Sequence, residues 1–376
     1  MPTRNDAYHI YSFDLTRTLA AMAVILLHWK EFVIPGKPPP FEHALHFFYT
    51  FGAFAVPLFF TLSGFIFTWL YADIIRDQRV GPRDFFIFRL SRLYPLYIAT
   101  FLVAAMTEPF SGYVTSILYN DPYHALLSVV MLTGWGLERG FSFNAPSWSV
   151  STEMFLYGAF FVTARFIRIG FAVAIALVVM GIALVPLSVH IAGGLAQFFA
   201  GAVAYRAFSL WSVHRRRRWV ATAAAVATMV MLVYAWEFYA QTGLQVVRSI
   251  VPHFPKLDLR YAIMRDLLFP TILFPMLIFV QASLEFLGAN TALARHTSVR
   301  WAGNISYAIY LWHFPLIMIG LMLAKSGVIP PLTFYTPVGL LAYTIVLLGM
   351  SHLSFYGFER PAMRAIRACF GVRRSI

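Results

Sequence analysis

FDLTRTLAAMAVILLHWKEFV, residues 13–33, is the first of a series of apolar blocks in this chain. An α-helix needs roughly 20 predominantly apolar residues to cross a bilayer, and the block has that length. Outward from it, comparable blocks lie at 47–72, 93–108, 148–164, 169–189, 192–210, 219–238, 263–282, 304–324 and 337–358. They predict an all-α, polytopic integral membrane bundle of about ten transmembrane helices. The stretch 124–137 is apolar but short and reads as a re-entrant or interfacial piece. Composition agrees: of 376 residues, 60% are hydrophobic, 17% aromatic and only 12% charged. Soluble domains carry about 25% charged residues, so a soluble globular enzyme is excluded. The alternating ~10-residue segments of a membrane β-barrel are absent.

The formal net charge is +13, from 29 Lys and Arg against 16 Asp and Glu. Basic residues flanking spans fix orientation, a plainer reading than nucleic-acid binding, and no nucleic-acid partner is expected. With the N-terminus in the cytoplasm, 21 of the 29 basic residues fall on the inner side, Arg215 to Arg218 among them, and 8 on the outer side. That asymmetry predicts both termini in the cytoplasm and a multi-pass protein of the inner (plasma) membrane, surrounded by lipid. Pro-rich 35–40 reads as a stiff turn. The longest outer loop, 239–262, leaves no room for an appended soluble domain, so 1–376 reads as a single membrane domain. The first apolar run contains Arg17 and lacks a small-residue cleavage site, unlike a signal peptide. Cys369 is the sole cysteine, which precludes an intrachain disulfide or a cysteine-based metal site. The histidines show no metal-ligand spacing, and no metal is expected.

Ionisable residues inside apolar spans are costly and point to function. Arg17 and His28 are eleven residues apart, three helical turns plus about 20°, and so share one face roughly 16 Å apart along the axis. Asp14, Arg17, Ala21, Val24 and His28 form one stripe, polar at both ends and small in the middle. Such a stripe could line a narrow channel; snorkelling of both ends to headgroups would produce the same spacing. Arg89 and Arg92, at i and i+3, suit a phosphate-bearing ligand, because guanidinium binds phosphate bidentately. Ordinary charge anchoring is the competing reading. Glu153 is the one acidic residue well inside a predicted span, near the depth expected for His28. It could orient that imidazole, or be protonated or salt-bridged. Ser63 beside Gly64 could be a nucleophile or a packing position. His313 reads as a hydrogen-bonded histidine, with Tyr307 and Tyr310 as plausible partners.

Taken together, FDLTRTLAAMAVILLH, FFTLSGFIF, FRLSRLYPLY, PSWSVSTEMFLY and ISYAIYLWH resemble, in order, segments of the membrane acyltransferase-3 family of bacterial integral-membrane O-acyltransferases. The resemblance runs from residue 13 to 313. It implies an Arg-x10-His pair, matched by Arg17 and His28, and an Arg-x-x-Arg pair, matched by Arg89 and Arg92. It also implies a Trp-Ser-x-x-x-Glu segment, matched by Trp148, Ser149 and Glu153. Thr16 departs from the small or apolar residue usual before the arginine. With no hydrolase-like domain after the tenth span, the chain looks like the stand-alone subgroup.

The resemblance implies transfer of an acyl group, acetyl or longer, from acyl-CoA in the cytoplasm to a hydroxyl of a carbohydrate or lipid-linked saccharide. Arg89, Arg92 and Arg17 would hold the donor. His28 would act as general base or carry the acyl group, with Glu153 orienting it. Trp148, Ser149, His313 and Ser63 would contact substrate. A transporter or flippase using the intramembrane Arg, His and Glu is the alternative, although no repeats or paired broken helices are visible.

Overall fold

Caps and prolines in the sequence set the helix boundaries. Asp121 accepts from the backbone N–H of His124 at 2.8 Å and starts a helix whose first residue is Pro122, a residue that needs no N–H there. Ser188 and Thr336 cap two further helices through Ile191 and Gly339. The computed structural model describes residues 10–32, 37–111, 119–213, 217–239, 264–288 and 296–372. Their helices are α1 (Tyr11–His28), α2 (Glu42–Phe51), α3 (Ala55–Arg76), α4 (Pro82–Ser111), α5 (Pro122–Val129), α6 (Trp148–Phe166) and α7 (Phe171–Ala183). Then follow α8 (Val189–Trp211), α9 (Arg217–Tyr239), α10 (Phe269–Phe286), α11 (Thr297–Lys325), α12 (Pro337–Ser354) and α13 (Arg360–Cys369). π-helical turns at Met264–Leu268 and Phe355–Glu359 lead into α10 and α13.

The expectation of about ten spans with both termini in the cytoplasm is corrected. Among the described residues, five helical stretches are long and apolar enough to cross a membrane: Glu42–Arg76, Pro82–Ser111, Asp266–Phe286, Thr297–Lys325 and Pro337–Cys369. Four other predicted spans, at α1, α6, α7 and α8, are helical but fall short for physical reasons. Asp14, Arg17 and His28 dilute α1, Glu153 and Arg165 dilute α6, and His190, Gln197 and Arg206 dilute α8. α7 has only 13 residues; in α9, whose side chains are described from Arg218 to Leu232, that described stretch is apolar. The 21-to-8 division of basic residues presupposed ten crossings and falls with them. Arg4, Arg215, Arg216, Arg248, Lys256, Arg260, Arg295, Arg373 and Arg374 lie outside the described residues, as do 35 and 36 of the Pro-rich turn and nearly all of the loop 239–262. Within 124–137 the helix α5 is eight residues long and ends at Val129, too short to cross.

The chain divides into two compact units built from separated stretches. The first comprises Met1–Thr16, Val56–Arg76 and Val162–Arg300. In it α8 packs against α7 and α10, and α10 against α9. α3 meets α8 through two glycines: a Cβ on Gly64 would stand 1.7 Å from the Phe198 carbonyl oxygen, and one on Gly201 1.9 Å from that of Thr61. Close approach of this kind needs the smallest residue on both helices. Around it lies a core of Ile10, Phe13, Leu62, Phe65, Ala204 and Ile278. The start of α1 is tied down by Glu285, whose two carboxylate oxygens accept from the N–H groups of Tyr11 and Ser12 at 2.8 and 2.9 Å. A carboxylate at a helix N-terminus satisfies orphan donors and opposes the positive end of the helix dipole.

The second unit comprises Arg17–Ala55, Asp77–Phe161 and Trp301–Ile376. α13 packs on α4, where Arg367 donates to the Ser91 hydroxyl at 3.0 Å. One core gathers Leu26, Trp29, Phe32, Tyr49, Ile317, Phe334 and Leu340, and another Phe101, Ala104, Phe143, Phe314 and Met318. Gly52 lets the α2–α3 connection touch α1: a Cβ there would stand 2.3 Å from the Ala23 carbonyl oxygen.

Candidate functional site

α1 carries both Arg17 and His28, as the eleven-residue spacing requires. Directly after His28, Trp29 is fully buried and its indole N–H donates to the Phe334 carbonyl at 3.1 Å. That anchor fixes where the helix ends and therefore where the imidazole sits. His28 is half-buried, and its Nδ1 lies 3.0 Å from the Val24 carbonyl oxygen. A carbonyl can only accept, so Nδ1 carries the hydrogen and the neutral ring presents a free Nε2 lone pair. This is the tautomer a general base needs.

His313 lies against it. The two imidazole centroids are 5.0 Å apart with their planes at 50°, and Phe314 meets the His28 ring edge-on at 5.8 Å. His313 comes from the middle of α11, two residues before Pro315. That proline lacks the N–H that would bond the Leu311 carbonyl. Asn144 takes up the freed carbonyl instead, through its side-chain amide at 3.1 Å, which ties the approach to α6 onto α11. The first turn of α6 is tied to α11 again: the Pro146 carbonyl accepts from Ser149 Oγ at 3.1 Å and from the Tyr310 hydroxyl at 2.8 Å, and those two hydroxyls are 2.7 Å apart.

Ser149, Glu153 and Tyr157 stand at i, i+4 and i+8 on α6 and so share a face. The Tyr157 hydroxyl donates to Glu153 Oε1 at 2.5 Å. The phenol thus joins Glu153 and Arg89, and Arg17 is near enough for its charge to act on it. Arg89 lies over the Tyr157 ring at 5.9 Å and over Phe85 at 5.7 Å. Three residues on, Arg92 forms an ion pair with Glu359 at 3.2 Å. Its guanidinium is sandwiched between Tyr307 at 5.4 Å and Phe355 at 5.5 Å. The Tyr307 hydroxyl in turn donates to the Leu93 carbonyl at 2.6 Å.

The predicted site residues therefore divide. Arg17, Arg89, Glu153 and Ser149 gather with Tyr157 and Tyr310, and Arg92 stands beside them on α4. His28 lies against His313, and its Nδ1 is committed to Val24. Trp148 is half-buried at the start of α6. Ser63 belongs to the first unit, where its neighbour Gly64 serves the α3–α8 packing. Sequence reasoning missed Tyr157 and Glu359. Tyr157 was signalled by its i+4 spacing from Glu153. Glu359 is 3% exposed and lies one residue past the expected end of the last span, inside a π-turn that breaks helical phase. Buried Glu285, at 7% exposure, escaped in the same way beyond residue 282, so Glu153 is not alone as an acidic residue in the interior. Among the described residues no three His, Cys, Asp or Glu side chains gather as a metal would require.

A family model described as an acyltransferase domain matches residues 10–351. The chain is 30% identical over 161 residues to "Acyltransferase MdmB" of Streptomyces mycarofaciens, covering 40% of this chain and 38% of that protein. It is 24% identical over 382 aligned positions to "Putative peptidoglycan O-acetyltransferase YrhL" of Bacillus subtilis (strain 168), covering 94% of this chain and 55% of that protein. The matches thus span about half or less of these relatives' own lengths. No solved structure matches.

Proposed function

We propose, from the premise that the chain belongs to the acyltransferase domain family, that it is a membrane O-acyltransferase. It moves an acyl group, acetyl in the first instance, from acyl-CoA to a hydroxyl of an exported or cell-surface carbohydrate. The observation that carries this reading is the tautomer of His28: a pinned Nδ1–H leaves Nε2 free as a base, on the same helix as Arg17. The acceptor oxygen attacks the thioester carbonyl carbon while its proton passes to His28 Nε2. The C–O bond forms, the C–S bond breaks, and the proton then passes from His28 to the departing thiolate. Arg89 and Arg17 offer guanidinium groups to the phosphates of CoA. Arg92, oriented by Glu359 and held between two rings, extends that set.

Glu153 balances the arginine charge and keeps Tyr157 in place, because its carboxylate is already engaged by that phenol. Ser149 fixes the start of α6 through Pro146 and Tyr310, and Trp148 offers an aromatic face at the same turn for a sugar ring. The peptidoglycan acetylation in the name of one relative supports a glycan as acceptor. Expression of the chain in a host lacking such an activity should add alkali-labile acetyl esters to surface glycans, and His28→Ala should abolish them. Equal ester content with wild type, His28→Ala and empty vector would reject the proposal.

A further inference from the structure

α12 ends on a cluster of side chains that acyl transfer does not use. The Trp301 indole N–H donates to His352 Nδ1 at 2.9 Å. An indole nitrogen only donates, so Nδ1 accepts and the ring hydrogen lies on Nε2, turned away from Trp301. The His352 ring lies 4.6 Å from that of Tyr356 between centroids. Arg360 reaches the same ring: its guanidinium is 5.5 Å from the Tyr356 centroid and 5.9 Å from that of Phe355. Aromatic faces hold a guanidinium in place without using its N–H donors. Among the described residues no carboxylate pairs with Arg360, because the adjacent Glu359 is buried and bound to Arg92 at 3.2 Å. The charge of Arg92 is compensated and that of Arg360 is not.

The place of this cluster says what it meets. Leu341, Ile345, His352 and Tyr356 follow one another at helical spacing and share a face. Leu341 and Ile345 are 61% and 60% exposed, and Leu353 beside them 67%. The helical stretch Pro337–Cys369 is long and apolar enough to cross a membrane, so lipid acyl chains cover that stripe. It ends at Trp301, Tyr356 and Arg360, the residue types that spans place at headgroup depth. We propose that Trp301, His352, Tyr356 and Arg360 bind one anionic phosphoglyceride. Arg360 takes the phosphate through its open N–H donors. His352, two turns further into the span, donates Nε2–H to an ester carbonyl oxygen, and the Tyr356 ring supports the glycerol between them. Because imidazole and guanidinium border one ring, the phosphate and ester of a single glycerol reach both. Glu359 is already paired, so the ammonium of a zwitterionic headgroup finds no carboxylate beside Arg360. A net negative headgroup meets an uncompensated arginine. The site stands apart from the acyltransferase reading and does not depend on it.

The test uses the full chain in detergent, stripped of native lipid. It is titrated with dioctanoyl phosphatidylglycerol or dioctanoyl phosphatidylcholine, and bound lipid is counted by native mass spectrometry. Wild type should bind one phosphatidylglycerol about tenfold more tightly than phosphatidylcholine. Arg360→Gln should weaken phosphatidylglycerol about tenfold and remove the preference, as expected for a lost charge-assisted contact. His352→Phe keeps a ring beside Tyr356 and should weaken both lipids about three- to tenfold, since both carry the ester carbonyl. Arg364→Gln, at an exposed arginine one turn along α13, should leave both affinities unchanged. If Arg360→Gln fails to fold, Arg360→Lys takes its place; it lacks the planar fork and should still bind phosphatidylglycerol severalfold more weakly. Equal affinity of wild type for the two lipids, no loss on changing Arg360, or an equal loss in Arg364→Gln would overturn the site. Acetyl-CoA titrated into the same proteins separates the remaining source of phosphate. An Arg360 variant weakened for acetyl-CoA but not for phosphatidylglycerol would overturn the lipid as ligand.

Discussion

His28 combines the two properties a base requires, a fixed tautomer and partial accessibility. Its ring hydrogen is committed to Val24, and its side chain is half-buried rather than sealed in the core. His28→Ala removes one side-chain bond to the backbone of its own helix and leaves the Trp29 anchor intact, so the protein should fold. Transfer should nonetheless fall by on the order of 10²–10⁴ in kcat, the usual contribution of general-base catalysis. Near-normal turnover in a well-expressed variant would remove His28 from the mechanism. At this scale, much of the site is legible in the sequence. Helical periodicity alone puts Arg17 and His28 on one stripe and Arg89 beside Arg92. It does not reveal that His28 meets His313, because contacts across hundreds of residues depend on how helices pack. Nor does it show that the nitrogen expected to bond Glu153 is spent on Val24.

The arginine pair of α4 tests the difference between an anchor and a phosphate clamp. An anchor needs charge alone, and lysine supplies it; a clamp needs the planar fork, which lysine lacks. Arg89→Lys with Arg92→Lys should preserve expression but weaken acyl-CoA binding about tenfold or more per lost contact, at roughly 1.5–3 kcal/mol for a hydrogen bond to a charged group. Unchanged acyl-CoA affinity by titration would leave the pair with a structural role only. Arg92 already carries a visible structural load, in its ion pair with the buried Glu359. Helix packing supplies a second prediction at this scale. Gly64→Ala would drive a methyl group to 1.7 Å from the Phe198 carbonyl oxygen. Backbone cannot yield as a flexible side chain does, so α3 and α8 must separate, at a cost of about 1–3 kcal/mol or more. Thermal unfolding in detergent should show a clearly lowered midpoint, and an unchanged one would contradict the α3–α8 contact.

Among the described residues, apolar block length overcounts the spans. A block of about 20 apolar residues looks alike whether it faces lipid or is packed against other helices. α8 illustrates this, with an almost continuous buried stretch from Ala192 to Ala202 around the Gly201 contact. Its apolar residues serve the protein interior, while His190, Gln197 and Arg206 keep it below the hydropathy of a span. Polar substitutions within α1 and α6 do the same, and these are the helices that bear His28, Arg17 and Glu153. The features that made them poor spans are those that make the site. The acyltransferase family match covers residues 10–351 and so includes the proposed site residues from Arg17 to His313, while Glu359, the partner of Arg92, lies beyond it.

We propose that this chain catalyses acyl transfer through His28. It is tested most directly by incubating the purified protein with radiolabelled acetyl-CoA and a muramidase digest of peptidoglycan, then measuring label in alkali-labile ester together with free CoA. Wild type should yield equal amounts of ester and CoA, and His28→Ala at most about one-hundredth of that rate. CoA release without ester, or equal ester formation by both proteins, would contradict it.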